Sequence, residues 1–471
     1  MVALALALVL CAAPEGPAAA GDTPAFLTPD RVDPDSWKPL RTERSFLIPA
    51  IEAAIIDCTI ATYNNLGSRQ VWAQISLQSI ASHLPLKAWY FDSDDLLVNQ
   101  FGHPYQGSLS FIAARSSGLN FWWSLLYPFT ASLAWEEIFE IDNPSVNDQI
   151  TTTLGGAFLG EVLFRIAALI LDPNNDLPPW LREVLAFPLA PASTVNRALF
   201  DDRFQHFDLA DRPWFRGSLG GGTFVQYPAG IVGGFVSGRL IYGAPTQSPD
   251  APFSHFDMRA DLSFTRTQVT GDFNLRGLLW GKHFHVGNLE GAGGVFGAYE
   301  YVAPRVLRAS SVNLGGGALA QYSFSHKLAI EATAVASGIV FGAGGFVGAN
   351  AIADNGGRDY HIGPGFHEVL EVTLVHEDLG MLSAGVRRWN FFGGVYTQPS
   401  GHDAITYFNA AATFRIGTHL TGTVELVQAW RDARFGEVTV TQSVTQGHFF
   451  FSWLFSDSLQ GVVADERHPV P

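Results

Sequence analysis

Residues 255–265 read HFDMRADLSFT. The even positions, Phe256, Met258, Ala260, Leu262 and Phe264, are apolar, and the odd ones, His255, Asp257, Arg259, Asp261, Ser263 and Thr265, are not. A period of two held over eleven residues describes a strand with one greasy and one wet face. The pattern recurs where Leu420, Gly422, Val424 and Leu426 oppose Thr421, Thr423 and Glu425. It recurs again where Ala404, Thr406, Phe408, Ala410, Ala412 and Phe414 oppose Asn409, Thr413 and Arg415. Residues 327–340 and 449–455 repeat it less cleanly, and turn cues at 243–252, 286–288, 354–357 and 397–403 separate the runs. Strands of soluble sandwiches and jelly rolls usually stop at about five or six residues. The longer runs here match a strand tilted across a bilayer. From Trp214 to residue 456 the sequence therefore predicts an antiparallel transmembrane β-barrel of about 12 strands, an even number, with both ends on one side. The last strand, HFFFSWLF (448–455), ends at Phe455, an aromatic suited to an assembly signal, with the tail beyond (457–471) left free.

Composition agrees. Of 471 residues, 15% are charged and 47% apolar, with 36 Phe, 12 Trp and 48 Gly. Charged residues make up about 25% of typical soluble chains. A net charge of −16 excludes a nucleic-acid partner. The partners expected are outer-membrane lipid and the barrel-assembly machinery, with the ligand unknown. Residues 1–20 (MVALALALVLCAAPEGPAAA) read as a signal peptide with cleavage after Ala20, although no basic residue precedes the apolar core. Lipidation at Cys11 is the lesser reading, because Leu10 is large. Loss of the leader leaves Cys58 as a single thiol, expected to be buried. No later segment reads as a clean transmembrane helix. The nearest, 155–171, is interrupted by Glu161 and Arg165. The address is a Gram-negative cell outer membrane.

Ahead of the strands the period changes. Residues 21–44 are a polar, Pro-rich lead-in, and 45–205 read as a helical domain, a possible plug for the barrel, giving an α+β chain. Helices are expected over 46–82 with a break at Asn64–Gly67, from His103 to about Ser117, over Phe121–Phe139, from Ser145 to Leu171, and over Ala192–Asp202. Pro104 suits a first helical turn, and Ser145 followed by Asp148 has capping-box spacing. DPNNDLPP (172–179) breaks the pattern.

Ionisable groups stud these apolar helices. Residues 98–170 carry Asn99, His103-Pro104-Tyr105, Gly107, Ala114-Arg115-Ser116, Trp135-Glu136, Glu140, Pro144-Ser145, Asn147-Asp148, Thr153, Gly155-Gly156, Gly160-Glu161 and Arg165. In these elements the segment resembles the bacterial domain-of-unknown-function family 3943. The resemblance implies a secreted envelope protein, often with barrel-like sequence afterwards, and implies no reaction, cofactor or partner.

The residues themselves set out two kinds of role. Glu161 and Arg165 stand four apart, acid first, the favourable order for a helical ion pair. Glu136 and Glu140 share a face and call for a cation, which Arg115, Arg165 or a metal could supply. His103 with Glu136 and Asp148 are the candidate catalytic residues of an acid–base or metal site, while Asn99, Arg115, Glu140, Asn147, Glu161 and Arg165 read as the structural polar cluster. No His-x-x-x-His or Glu-x-x-His spacing is present, so neither a metal nor a cofactor is assigned. Gly-x-Ser-x-Gly is absent, and Ser108, Ser110 and Ser132 are weaker nucleophile candidates. His283 and His285, near Lys282, share one strand face, open to a lumen. Gly155, Gly156 and Gly160 read as a close helix contact. Two functions are expected on these grounds: a structural or solute- or lipid-conducting barrel with a plug-like domain, and an envelope hydrolase using His103 and its carboxylates. A soluble periplasmic binding protein with a sandwich domain is the third.

Overall fold

The computed structural model describes residues 43–83, 89–92, 94–174, 177–201, 203–204, 213–244, 249–302, 307–345, 360–393, 400–455 and 459. The expected leader, nearly all of the lead-in and most of the tail lie outside these residues. Two compact units are present, one helical and one barrel.

The barrel unit has twelve antiparallel strands: β1 (Phe215–Tyr227), β2 (Ile231–Tyr242), β3 (Phe256–Phe264), β4 (Val269–Val286), β5 (Leu289–Val302), β6 (Arg308–Ser325), β7 (Leu328–Gly345), β8 (Tyr360–His376), β9 (Gly380–Phe392), β10 (Gly401–Arg415), β11 (Leu420–Phe435) and β12 (Val438–Leu454). Each pairs with its neighbours in sequence, and β1 pairs with β12, closing the cylinder. The closure excludes a sandwich. Phe215 lies opposite Tyr242, and Ser218 opposite Leu454, so first and last strands share an end. Four of the five connections at that end are short (287–288, 326–327, 377–379 and 416–419), and the fifth, 243–255, is long.

The alternation read from sequence sorts into inside and outside. Along β11, Val424, Leu426 and Trp430 are exposed while Glu425, Val427, Ala429 and Arg431 are buried. Along β12, Phe449, Phe451 and Trp453 face out and His448, Phe450, Ser452 and Leu454 face in. The outward row also holds Leu262, Phe264, Phe366, Leu370, Leu382 and Phe414. Beyond β12 the chain is not free at Leu459, contrary to expectation. This residue is buried against Val375 and Leu454, its N–H donates to the Glu377 carboxylate at 3.0 Å, and its carbonyl accepts from Arg216 Nη1.

The helical unit contains α1 (Leu47–Thr62), α2 (Leu77–His83), α3 (His103–Ser116), α4 (Phe121–Ser124), α5 (Leu126–Ala134), α6 (Val146–Ile150), α7 (Gly156–Leu171), α8 (Pro179–Ala186) and α9 (Pro191–Phe200). The expected break at Asn64–Gly67 is a π-helical turn, Tyr63–Gly67. Further π turns run over Val98–Gly102, Trp135–Phe139 and Thr151–Gly155. Ser145 caps α6, its Oγ accepting from the Asp148 N–H at 3.3 Å. Helical geometry continues from Val146 to Leu171, 26 residues, over the span the sequence predicts, and contrary to the reading of an interrupted segment it is long and apolar enough by length and composition to cross a membrane. Its most apolar window is 94% buried, which makes it the core of this unit. It packs tightly on α3. A Cβ on Gly107 would sit 1.9 Å from the Thr152 carbonyl oxygen, and one on Gly156 2.7 Å from Gly107. Cys58, expected to be buried, is exposed on α1.

Candidate functional site

Three side chains singled out by sequence meet inside the helical unit. His103 opens α3 directly after the Val98–Gly102 π turn, Glu136 lies within Trp135–Phe139, and Asp148 sits in α6 just ahead of Thr151–Gly155. A π turn adds a residue to the helical ladder and re-aims the side chains beyond it, a device frequent at functional sites. Here His103 follows one such turn, Glu136 lies inside another and Asp148 precedes a third. One ligating atom from each residue lies within 4.8 Å of the other two, and His103 Nε2 stands 3.7 Å from Asp148 Oδ2.

Around them runs a hydrogen-bonded frame. Asn147 Nδ2 donates to Asp148 Oδ1 (2.9 Å) and Asp92 Oδ1 (2.8 Å), and Asn147 Oδ1 accepts from the Asp92 N–H (3.0 Å). Asn99 also donates to Asp92. Ser145 N–H donates to Glu136 Oε2 at 2.7 Å. Glu140, half-buried, has its carboxyl in hydrogen-bond reach of Glu136. Sequence reasoning missed Asp92, leaving it in an acidic loop. The signal available was Asn147, whose amide needs acceptors once buried.

Burial dominates the electrostatics. It pushes the Glu136 carboxyl up to about 8, against the pull of the Ser145 N–H, and pushes Asp148 and Glu140 well up too, with neighbouring carboxylates adding to the rise. It pushes the His103 imidazole down to about 4, with Asp92 opposing. His103, Glu136 and Asp148 are 9%, 1% and 2% exposed, so a substrate has no surface route to them as they stand. Nothing in this arrangement supports the envelope-hydrolase reading. Ser108 is no nucleophile either, since its hydroxyl donates to the Tyr105 carbonyl at 2.6 Å.

The expected Glu161–Arg165 pair is present at 2.8 Å, and Arg115 joins it, its Nε 2.8 Å from the other Glu161 oxygen. Arg115 also donates to the Leu119 carbonyl at 2.7 Å and lies over the Phe164 ring. Glu161 thus sits between two buried guanidiniums. This corrects the expectation that Arg115 or Arg165 offsets Glu136 and Glu140.

The barrel lumen is a second polar region. Arg216 on β1 makes a two-point contact with Glu331 on β7 (3.0 and 2.6 Å), across the lumen with five strands between them either way round. Arg276 on β4 donates to Asp257 and to Glu371 on β8, both at 2.8 Å. Glu425 on β11 accepts from Arg259 on β3 (2.8 Å) and Arg239 on β2 (3.0 Å), with His448 at 3.1 Å. Glu300 on β5 meets His367 on β8 at 3.0 Å, and Asp403 lies between Arg431 and His361. Trp389, Phe391, Ile405 and Tyr407 fill space nearby. His283 and His285 do not form a ligand pair: His285 faces Glu290 at 3.0 Å on the exposed end of a hairpin.

The chain is therefore a closed twelve-stranded antiparallel barrel preceded by a helical domain. Residues 88–192, which hold the buried cluster, match the model of a family described as Domain of unknown function (DUF3943). No curated relative matches the chain. Among solved structures it is similar to the NanC porin at 7% identity, over 50% of this chain and 98% of that one, with a TM-score of 0.26. It is similar to the CymD monoaromatic hydrocarbon channel at 10% identity, over 51% and 88%, with a TM-score of 0.22. The toluene transporter TodX of Pseudomonas putida is similar at 10% identity, over 51% and 89%, with a TM-score of 0.20. At such scores none of these bears on what this chain carries or binds.

Proposed function

We propose that this chain is an outer-membrane barrel whose lumen is a conduit for a small polar solute, held shut at rest by ion pairs between facing walls. The outward row of Leu, Val, Phe and Trp supports the membrane address, as do the strand lengths of 9 to 18 residues. The observation that carries the conduit reading is the Arg216–Glu331 bridge between opposite strands, backed by Arg276–Glu371 and Arg259–Glu425. A lumen meant only to be filled is served as well by apolar side chains, and buried ion pairs are often no more stable than such a filling. Charges retained in facing pairs suit a passage that opens when the pairs separate.

The test is conductance of the full chain in planar bilayers. The unaltered protein is expected to open rarely. Glu331→Gln combined with Glu371→Gln, which leaves Arg216 and Arg276 without their cross-lumen partners, is expected to raise the open fraction severalfold. If both proteins insert and stay silent, the conduit reading fails, and the barrel is an anchor for its helical domain.

A further inference from the structure

The His103, Glu136 and Asp148 cluster has features that a packed polar core does not require. Glu136 Oε2 takes the Ser145 N–H, while Glu136 Oε1 is fully buried and accepts no backbone, amide or hydroxyl donor among the described residues, leaving only the Glu140 carboxyl within reach of this side chain. An orphaned carboxylate oxygen in a protein core calls for an explanation. His103 Nε2 faces Asp148 Oδ2 at 3.7 Å, too far for a hydrogen bond. The three ligating atoms thus surround a small gap, with separations up to 4.8 Å. Donors about 2.1 Å from a shared ion stand about 3.4 Å apart in a tetrahedral site, so a modest inward shift of each side chain closes this set on a cation.

The surroundings match a metal's outer shell. Asn147 fixes Asp148 Oδ1, Asn99 and Asn147 hold Asp92, and a backbone N–H orients Glu136. The guanidiniums nearest in sequence are spent on Glu161. One imidazole with carboxylates suits zinc, manganese or ferrous iron, whereas magnesium and calcium favour all-oxygen shells.

We infer that His103, Glu136 and Asp148 bind one divalent transition-metal ion, which ties together the segments around the π turns Val98–Gly102, Trp135–Phe139 and Thr151–Gly155. The site is structural, since all three ligands are buried, and it is independent of whether the barrel conducts.

Zinc is the probe. Full-length protein, stripped with a chelator and dialysed against Zn2+, is expected to hold one equivalent more than His103→Gln in elemental analysis. Cobalt substituted at that site is expected to give visible ligand-field bands that the variant lacks. Asn147→Ala, which keeps all three ligands, is expected to bind about 10–100-fold more weakly, the usual loss for an outer-shell partner. Far-ultraviolet dichroism checks that each variant is folded. Equal zinc content in the unaltered protein and both variants overturns the proposal, as does an unchanged melting temperature after metal removal. In either case the carboxyls share protons with one another instead.

Discussion

Asp57 on α1 is 2% exposed, and its carboxylate accepts from Gln106 Nε2 at 2.9 Å. Burial raises its pKa from the ordinary 3.8 to about 6, the Gln106 hydrogen bond opposing. The folded state therefore holds this proton more tightly than the unfolded chain. Its stabilising effect is complete below about pH 4, is lost as pH rises towards 6, and changes no further above that. Asp57→Asn keeps the acceptor and removes the titration. Helical melts of the two proteins between pH 4 and 7 are expected to diverge, the variant becoming the more stable as pH rises; parallel profiles refute the assignment. At this scale the sequence is legible where partners are local. Glu161 and Arg165 announce each other by spacing, while Arg115 lies 46 residues from Glu161, and nothing in the spacing steers it to that acid rather than to Glu136 or Glu140. His103, Glu136 and Asp148 are legible by type, as costly groups on apolar helices, although no ligand spacing joins them.

At the scale of elements, the α3–α7 crossing is set by glycine. A methyl group at Gly107 meets the Thr152 carbonyl, so Gly107→Ala is expected to lose about 1–3 kcal/mol as the helices part. Gly102 is the control: exposed, with ordinary helical φ of −61° and its nearest neighbour atom 3.9 Å from a new Cβ. Gly102→Ala is expected to be neutral or to gain up to about 1 kcal/mol. Denaturant titration followed by helical dichroism reads both, and similar shifts for the two variants would remove the packing argument. The small residues at Gly156 and Gly160 point to this contact from sequence. The π turns do not show there, because one extra residue per turn is absorbed without disturbing an apolar pattern this continuous. They lie all the same beside or around each of His103, Glu136 and Asp148.

At the scale of the whole molecule, strand alternation carries the strands and their approximate number, because a side-chain period of two leaves no freedom about which face is greasy, whereas closure is seen only in the pairing of β1 with β12. What alternation does not convey is which charge meets which across the lumen: Arg216 and Glu331 are 115 residues apart and joined only by the curvature of the sheet. The membrane reading is checked on the outer face. Leu426, mid-strand on β11 between Ala410 and Gly447, points outward. Leu426→Arg is expected to cost about 2–4 kcal/mol near the bilayer midplane. Refolding into vesicles, read by the heat-dependent gel mobility of closed barrels, is expected to drop for this variant and to be unaffected by Thr423→Ser on the inner face. Equal refolding of the two would show that the outer face does not meet hydrocarbon.

The seam between β1 and β12 joins the earliest and latest parts of the barrel sequence, and Leu459 is gripped from both sides by Arg216 and Glu377. During folding the cylinder therefore stays an open ribbon until its final strand is in place, with an unpaired edge at each margin that invites aggregation. Closure and the fastening of Leu459 come as one late event, because neither can form before the last strand has found the first.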